Sequence, residues 1–257
     1  MSFELHLREL KWRFIYLTIS IPITLLISYL FSSELLFTLA NPLTETQKFM
    51  VGNATGREPH FIFTDVTEAF TTHILISFYV SMVCIVPLLF YHSWSFLEPG
   101  LYPNEKRSIG FLFVLSPLCF LLGTVIAYFV VLPIAWAFFL GFEGSLTQLG
   151  TDIFLEAKIS EYLTLSVRFL FIMGFFFQYP VLLLILINLS ILTVEWMIKR
   201  RKIFCILSFI LAALFSPPDI ASQLLIAVPL ILFYEGAILT LFLTQNYKDL
   251  HLVRGYV

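Results

Sequence analysis

Long apolar runs alternate with short charged segments along the whole chain. Runs without Asp, Glu, Lys or Arg cover residues 14–31, 69–97, 108–142, 169–194, 203–218 and 220–234. A bilayer core about 30 Å thick needs about 20 helical residues. The third run greatly exceeds that length, and the fifth is broken early by Ser216-Pro217-Pro218-Asp219. The pattern predicts an all-α polytopic membrane protein with six transmembrane helices. We expect a single integral membrane domain over residues 1–257, with short fifth and sixth spans.

Positive charge is concentrated in alternate loops. One set of loops and ends holds Arg8, Lys11, Arg13, Lys106, Arg107, Lys199, Arg200, Arg201, Lys202, Lys248 and Arg254. The other set holds only Lys48, Arg57 and Lys158. Because basic loops stay on the cytoplasmic or matrix side, the sequence predicts an N-in, C-in topology.

Prolines occur inside most of the predicted spans, at Pro22, Pro87, Pro117, Pro133, Pro180 and Pro229. Each removes a backbone donor and bends its helix, although proline is also commoner in membrane helices generally. Together with the short fifth and sixth spans, which leave the outer half of the bilayer uncovered, the bends predict a curved, concave wall of helices.

Composition excludes a soluble globular domain. The chain is 59% hydrophobic and 12% charged, whereas soluble domains carry about 25% charged residues. Cys84, Cys119 and Cys205 lie singly in three spans, which argues against a disulfide framework or a zinc site. No GxSxG or HExxH motif is present. We therefore expect no enzyme activity, no metal, no cofactor and no nucleic-acid partner.

Two segments on the basic side carry acids that topology does not explain. The N-terminal segment contains Glu9 within a short amphipathic stretch, and is too short and too acidic for a transit peptide, so we expect the first span to remain as an anchor. The loop after the second span contains Glu98 and Glu105. Acids contribute little to the positive-inside rule, so these carboxylates indicate another role.

The motifs of the chain resemble those of the TatC family, the core subunit of the twin-arginine protein translocase. The resemblance rests on Trp94-x-Phe96-x-x-Pro99-x-Leu101-Tyr102-x-x-Glu105-x-Arg107, His6-Leu7-x-Glu9-Leu10-x-x-Arg13, Asn41-Pro42-Leu43, Thr64-Asp65-Val66 and Ser216-Pro217-Pro218-Asp219-x-x-x-Gln223. These motifs occur in order over nearly the whole chain. The segments Glu161-Tyr162-Leu163-x-x-x-Val167-Arg168 and Gln178-Tyr179-Pro180-Val181 are most similar to the mitochondrially encoded branch.

The resemblance implies a signal-peptide receptor that helps move folded proteins across the membrane, driven by the proton-motive force. By motif matching, the signal-peptide site comprises Glu9, Lys11, Arg13, Phe96, Pro99, Glu105 and Arg107. Two carboxylates suit a pair of arginines because guanidinium groups bind carboxylates bidentately. Lys11 stands where bacterial relatives commonly have Arg, and Glu98 is an additional acid beside Pro99.

Polar residues inside the spans form a second group of candidates. Gln178 lies where many bacterial members have Glu, and we expect it to hydrogen bond with a small single-span subunit; Gln223 is assigned to the same group. Glu235 is either an acid satisfied within the membrane or part of a concave polar surface. On the outer side, Pro42, Asp65, Arg168 and Asp219 are structural or functional candidates. We expect Arg168 to form an ion pair with Asp65, Glu68, Glu161 or Asp219.

Asp65 and Glu68 have the spacing of a helix N-cap and the acid three residues on, which predicts a helix start. The expected partners of the chain are folded proteins with twin-arginine signal peptides, single-span TatA/TatB-type subunits, the lipid bilayer and further copies of itself. The expected location is the mitochondrial inner membrane, with a bacterial plasma membrane as the alternative. A proton- or solute-coupled secondary transporter remains the alternative function, although no internal repeat is visible.

Overall fold

The computed structural model describes residues 3–49, 61–62, 64–147, 157–189, 191–216 and 219–254. These residues are almost entirely helical. In chain order the helices are α1 (Phe3–Leu30), α2 (Ser32–Gln47), α3 (Glu68–Leu97), α4 (Pro103–Ile126), α5 (Leu132–Thr147), α6 (Ile159–Phe176), α7 (Tyr179–Asn188), α8 (Val194–Phe215) and α9 (Ile220–Arg254).

Four short elements lie between these helices in the chain. A 3₁₀ turn, Glu98–Gly100, follows α3, and one turn of π-helix, Ala127–Val131, joins α4 to α5. The strand β1 (Phe61–Ile62) pairs in parallel with β2 (Ala157–Lys158), which leads directly into α6. The predicted all-α class is confirmed, with this two-residue pairing as a small addition.

Five helical stretches are long and apolar enough to cross a membrane among the residues described: Leu7–Leu30, Glu68–Gly100, Lys106–Gly141, Ile159–Ile187 and Ile220–Leu239. The predicted fifth span corresponds to α8, which has 22 residues. Its first part contains Lys199, Arg200, Arg201 and Lys202, so its apolar part is only residues 203–215. The six-span count and the N-in, C-in orientation remain predictions.

Helices α1 and α3 are antiparallel neighbours joined by polar contacts along their length. Arg13 of α1 donates to the carbonyl oxygen of Ser95 at one end, and at the other end Ser32, the first residue of α2, contacts His73. We call the first end the basic end, because it carries the lysines and arginines at positions 8–13, 106–107 and 199–202. We call the opposite end the capped end, because α2, α5 and the β1–β2 pair cover it.

The hairpin of α8 and α9 does not reach the capped end. The ring of Phe215, the last residue of α8, lies 5.9 Å from the ring of Phe176, the last residue of α6. Helix α6 begins at Ile159 on the capped end. From Ile159 to Phe176 the helix rises about 25 Å, at 1.5 Å per residue. The end of α8 therefore lies about 25 Å from the start of α6. This shallow hairpin agrees with the predicted short fifth and sixth spans, and it leaves a concavity beside α6.

Helices α4 and α6 pack very closely through glycines. A Cβ atom added at Gly123 of α4 would lie 2.7 Å from the carbonyl oxygen of Met173 and 2.7 Å from the Phe177 ring. Gly174 of α6 approaches Phe120 in the same way. Small residues allow such close helix contacts in membranes, where van der Waals packing drives helix association.

Replacing Gly123 with alanine should therefore destabilise the protein by about 1–3 kcal/mol, because a backbone carbonyl cannot move aside as a side chain can. The midpoint of thermal unfolding of the purified protein in mild detergent measures this effect. Gly141→Ala is the matched control, since Gly141 is exposed on α5 with no atom within 4 Å of an added Cβ. Equal midpoints for the two variants would contradict the close contact.

Candidate functional site

At the basic end, α1 is attached to α3 through one arginine. Arg13 forms an ion pair with Glu9 one turn earlier on α1, and its Nε donates to Glu9 Oε1 at 3.0 Å. The Arg13 Nη2 atom also donates to the Ser95 carbonyl oxygen at 3.2 Å. The structure thus brings the two candidate segments, the start of α1 and the end of α3, together as one surface.

A cavity of 270 Å³ lies between these two segments. Arg13, Phe14 and Leu10 line it from α1, and His92 and Phe96 line it from α3. The His92 ring stacks on Tyr16, with ring centroids 6.2 Å apart. The predicted residues Glu9, Arg13 and Phe96 therefore lie close together, around a cavity whose lining is mostly apolar.

The loop after α3 is closed by an ion pair that sequence reasoning missed. Lys106 Nζ lies 2.5 Å from Glu98 Oε1, across the 3₁₀ turn that contains Pro99. Pro99 is exposed in that turn. Glu98, which the family pattern left unexplained, thus has its partner within the loop.

Three further predicted site residues lie on this end. Glu105 is in the first turn of α4, but its side chain lies outside the described residues. Arg107 and Lys11 are exposed, and neither forms an ion pair with another residue in the described ranges. The charged rim therefore carries two cations that have no ion-pair partner among the described residues.

Inside the bundle, Gln178 joins α4 to the turn between α6 and α7. Its Nε2 donates to the Ser116 carbonyl oxygen at 2.8 Å. Its Oε1 is buried and has no hydrogen-bond partner among the described residues, and the same holds for the Tyr179 hydroxyl. Both residues line an apolar cavity of 530 Å³. The amide nitrogen of Gln178 is therefore bonded within the fold, while its amide oxygen has no partner among the described residues.

The cavity beside Gln178 occupies the concave side of the helical wall, and we call it the concave cavity. Its lining comes from α3, α4, α6, α7, α8 and α9, and includes Val86, Leu89, Phe90, Phe171, Phe175, Leu207, Leu211 and Leu230. Its walls are apolar side chains.

Gln223 and Asp219 hold the α8–α9 hairpin. Gln223 Nε2 donates to the Phe209 carbonyl oxygen at 3.1 Å, so it ties α9 to α8. Asp219 Oδ2 accepts from the Ser222 N–H at 2.7 Å, as an N-cap residue does at the start of a helix. Both residues therefore have structural partners within the hairpin. Pro217, which precedes them in the motif, lies outside the described residues.

Glu235 forms an ion pair with an arginine of the neighbouring helix. Arg201 Nη2 of α8 lies 3.1 Å from Glu235 Oε2 of α9. The neighbouring Tyr234 donates its hydroxyl to the Met197 carbonyl oxygen at 2.7 Å and stacks on Phe204. These contacts join the basic ends of α8 and α9.

At the capped end, Pro42 lies inside α2 and lacks the N–H that would bond to the Thr38 carbonyl oxygen. Tyr128, in the π turn between α4 and α5, donates its hydroxyl to that oxygen at 2.7 Å. Tyr162 of α6 donates to the next carbonyl oxygen, that of Leu39, at 2.6 Å. Pro42 thus creates an acceptor that fixes α2 to the helical wall.

The predicted capping arrangement before α3 is present, and it extends to a second helix. Asp65 Oδ1 accepts from the Thr67 N–H at 3.3 Å, and Glu68 Oε2 accepts from the N–H groups of Thr64 and Asp65 at 2.8 and 3.3 Å. The other oxygen of Glu68 accepts from the Ser160 N–H at 3.1 Å. One buried carboxylate therefore fixes the starts of α3 and α6 at the same level.

Arg168 is exposed on α6 and forms no ion pair with a described residue. The expected pair with Asp65, Glu68, Glu161 or Asp219 is therefore not seen. Glu68 and Asp219 instead accept from backbone N–H groups. The described residues also contain no group of three or more His, Cys, Asp or Glu side chains that could hold a metal ion.

Comparison with known proteins gives one family. The family model described as "Sec-independent protein translocase protein (TatC)" matches residues 5–229. The tatC-like protein ymf16 of Reclinomonas americana is 39% identical over 248 residues, which are 95% of this chain and 88% of that protein. The TatC protein of Rickettsia prowazekii is 36% identical, over 93% of this chain and 91% of its own length.

A solved structure agrees with these relatives. The crystal structure of the twin-arginine translocase receptor TatC superimposes with a TM-score of 0.76 at 32% sequence identity. The match covers 93% of this chain and 99% of that one. Similarity therefore extends over the fold as well as the sequence.

Removing the Tyr128 hydroxyl should destabilise the capped end by about 1 kcal/mol, because the Thr38 carbonyl oxygen freed by Pro42 loses its donor. Thermal unfolding of Tyr128→Phe in mild detergent measures the loss. Tyr29→Phe is the control, since Tyr29 is exposed and its hydroxyl has no hydrogen bond within the described part of the chain. An unchanged midpoint for Tyr128→Phe would show that water replaces the tyrosine at this carbonyl.

Proposed function

The chain belongs to the TatC family of Sec-independent protein translocase proteins, and on that premise we propose that it is the signal-peptide receptor and core subunit of a twin-arginine-type translocase. Such a receptor binds the signal peptides of folded proteins at the basic end. The related structure described as a twin-arginine translocase receptor supports this role. The secondary-transporter alternative has no comparable support.

The observation that carries the proposal is the link from Arg13 to the Ser95 carbonyl oxygen. The start of α1 and the end of α3 are far apart in sequence, and this bond makes them one surface around the basic-end cavity. A peptide lying along this surface contacts both segments at once. Fixing the two segments before binding reduces the entropy lost on association.

Recognition of paired arginines needs carboxylates at this surface, and we assign that role to Glu9 and Glu105. Guanidinium groups form two parallel hydrogen bonds with a carboxylate, and lysine cannot reproduce that geometry. Glu9 already accepts from Arg13, so it is held in one orientation. Phe96, Pro99, Lys11 and Arg107 complete the proposed site, and Phe96 lines its cavity.

Glu105→Gln should weaken binding of a twin-arginine signal peptide by about tenfold or more, because a charge-assisted hydrogen bond contributes about 1.5–3 kcal/mol. Photocrosslinking of a twin-arginine signal peptide to the membrane-embedded protein measures this. Glu98→Gln is the matched control in the same loop, because Glu98 is paired with Lys106. Its crosslinking should stay near that of the unchanged protein.

Equal crosslinking of Glu105→Gln and the unchanged protein would remove Glu105 from the site. A larger loss in Glu98→Gln than in Glu105→Gln would instead assign the recognising acid to the 3₁₀ turn.

We further propose that single-span TatA/TatB-type subunits, and further copies of the chain, associate with it within the membrane. Gln178 is the candidate contact, since its Oε1 is a buried acceptor without a partner among the described residues. A hydroxyl or amide donor on a partner helix would satisfy that oxygen. Gln223 and Glu235 are bonded within the α8–α9 hairpin, so they support this surface rather than contact a partner directly.

Gln178→Leu should weaken association with single-span partners, whereas Gln178→Glu should be tolerated. A carboxyl group kept protonated in lipid retains a donor for the Ser116 carbonyl oxygen and an acceptor for the partner. Recovery of partners after solubilisation in mild detergent separates the two variants. If Gln178→Leu retains its partners, the position serves packing only. A pH-dependent transport activity that appears in Gln178→Glu would favour the transporter alternative.

The chain is a membrane protein, and we propose the mitochondrial inner membrane as its location, with the proton-motive force as the energy source. The similarity to the tatC-like proteins ymf16 of Reclinomonas americana and Nephroselmis olivacea supports this branch. The similarity to the Rickettsia prowazekii protein keeps a bacterial plasma membrane as the alternative. In either membrane we propose that the chain forms a single integral domain with both ends on the inner side.

A further inference from the structure

One cation within the membrane region has no partner in the described ranges, and that cation is Arg168 on α6. Arg168, Phe171 and Phe175 are spaced i, i+3 and i+7, so they share one face of the helix. All three are exposed, and the two phenylalanines line the concave cavity. Arg168 therefore lies directly beside the mouth of this cavity, on the side of the capped end.

The depth of Arg168 is close to that of lipid headgroups. Helices α3 and α6 start at one level, because Glu68 accepts from the Ser160 N–H. On α3, the aromatic residues Tyr91 and Trp94 mark the membrane boundary at the basic end. A span of about 20 residues crosses the bilayer core, so the opposite boundary lies near Ile74. Arg168, eight residues after Ser160, is level with about Ile76, a few ångströms inside that boundary.

An arginine at this depth extends toward the interface and takes an anionic partner. The described carboxylates do not supply one, and the shallow α8–α9 hairpin leaves this face of α6 uncovered. Phosphate is the anion that lies at headgroup depth, and a guanidinium binds it bidentately. The apolar cavity below would then receive the hydrocarbon attached to that phosphate.

The face of α6 that carries Arg168, Phe171 and Phe175 forms a stripe that continues toward the capped end. Thr164 lies one turn before Arg168 on this stripe, and Glu161 lies one turn before Thr164. Glu161 is exposed, and no described residue pairs with it. From the capped end inward, the stripe therefore presents an acid, a cation and then phenylalanine rings. This order complements an ammonium group, a phosphate and an acyl chain.

We propose that the concave face of α6 binds a glycerophospholipid with an ammonium headgroup, such as phosphatidylethanolamine. Its phosphate binds Arg168, its ammonium binds Glu161, and one acyl chain passes Phe171 and Phe175 into the concave cavity. Gln178, Tyr179 and Leu182 line the half nearer the basic end, which stays open to a partner helix. The inference does not depend on the proposed receptor function.

The test uses the full chain in phosphatidylcholine vesicles that contain a trace of phosphatidylethanolamine with a photoreactive group in its acyl chain. After irradiation, mass spectrometry of the digested protein should place crosslinks at the α6 and α8 segments around Phe175 and Leu211. Arg168→Gln should lower this capture about tenfold, as loss of a charge-assisted bond predicts. Lys202→Gln, an exposed cation on the basic end, is the control and should not change it.

Two further variants separate lipid binding from misfolding and test the headgroup. Leu211→Trp keeps both charges but fills the cavity, so capture at Phe175 should fall while the size-exclusion profile stays unchanged. Glu161→Gln should lower capture of the phosphatidylethanolamine probe and leave capture of a phosphatidylglycerol probe as it was. The proposal is overturned if Arg168→Gln and Lys202→Gln capture equally, or if a diacylglycerol probe without phosphate labels the cavity as well as phosphatidylethanolamine does.

Discussion

A bilayer core offers no water to hydrogen-bonding groups, and this constraint governs the contacts that hold the described helices together. Thr24 meets Ser81 where α1 crosses α3, and Gln178 donates to a carbonyl oxygen of α4. At the basic end, Arg201 and Glu235 form an ion pair between α8 and α9. Because lipid is as apolar as leucine, apolar burial alone does not select these pairings. The polar pairs supply the register, and the glycine contacts between α4 and α6 supply the close packing.

The same constraint explains why the helical wall is curved. Each proline within a helix leaves a carbonyl oxygen without its usual donor, and the capped end shows one solution, in which Tyr128 serves the carbonyl freed by Pro42. That tyrosine lies in the π turn between α4 and α5, so the π turn supplies the donor for the carbonyl oxygen that the proline in α2 leaves unbonded. The α8–α9 hairpin stops at the level of Phe176, and the concave cavity lies between this hairpin and the helices of the wall.

Much of the fold could be predicted from the sequence, because hydrophobic runs and charge placement are local signals. The runs gave the helices, and the break at Ser216 gave the short hairpin. The capping pattern at Asp65 and Glu68 was also local, but its extension to Ser160 was not, since a backbone N–H of a distant helix has no sequence signature. For the same reason Lys106 was not recognised as the partner of Glu98. No ion pair joins Arg168 to the acids expected for it, and three of those acids, Asp65, Glu68 and Asp219, accept from backbone N–H groups instead.

The internal ion pairs at the basic end bear on how the proposed site would discriminate its ligand. Glu9 is bonded to Arg13 and Glu98 to Lys106, so neither acid is left uncompensated beside the membrane before a peptide arrives. A peptide arginine that binds Glu9 either displaces Arg13 from the Glu9 carboxylate or shares that carboxylate with it. The net change in charge pairing is therefore small. Selection for arginine over lysine must then come from bidentate geometry, which a held carboxylate can enforce and a mobile one cannot. The link from Arg13 to the Ser95 carbonyl matters for this reason, because it fixes the orientation of the carboxylate that the proposed peptide has to match.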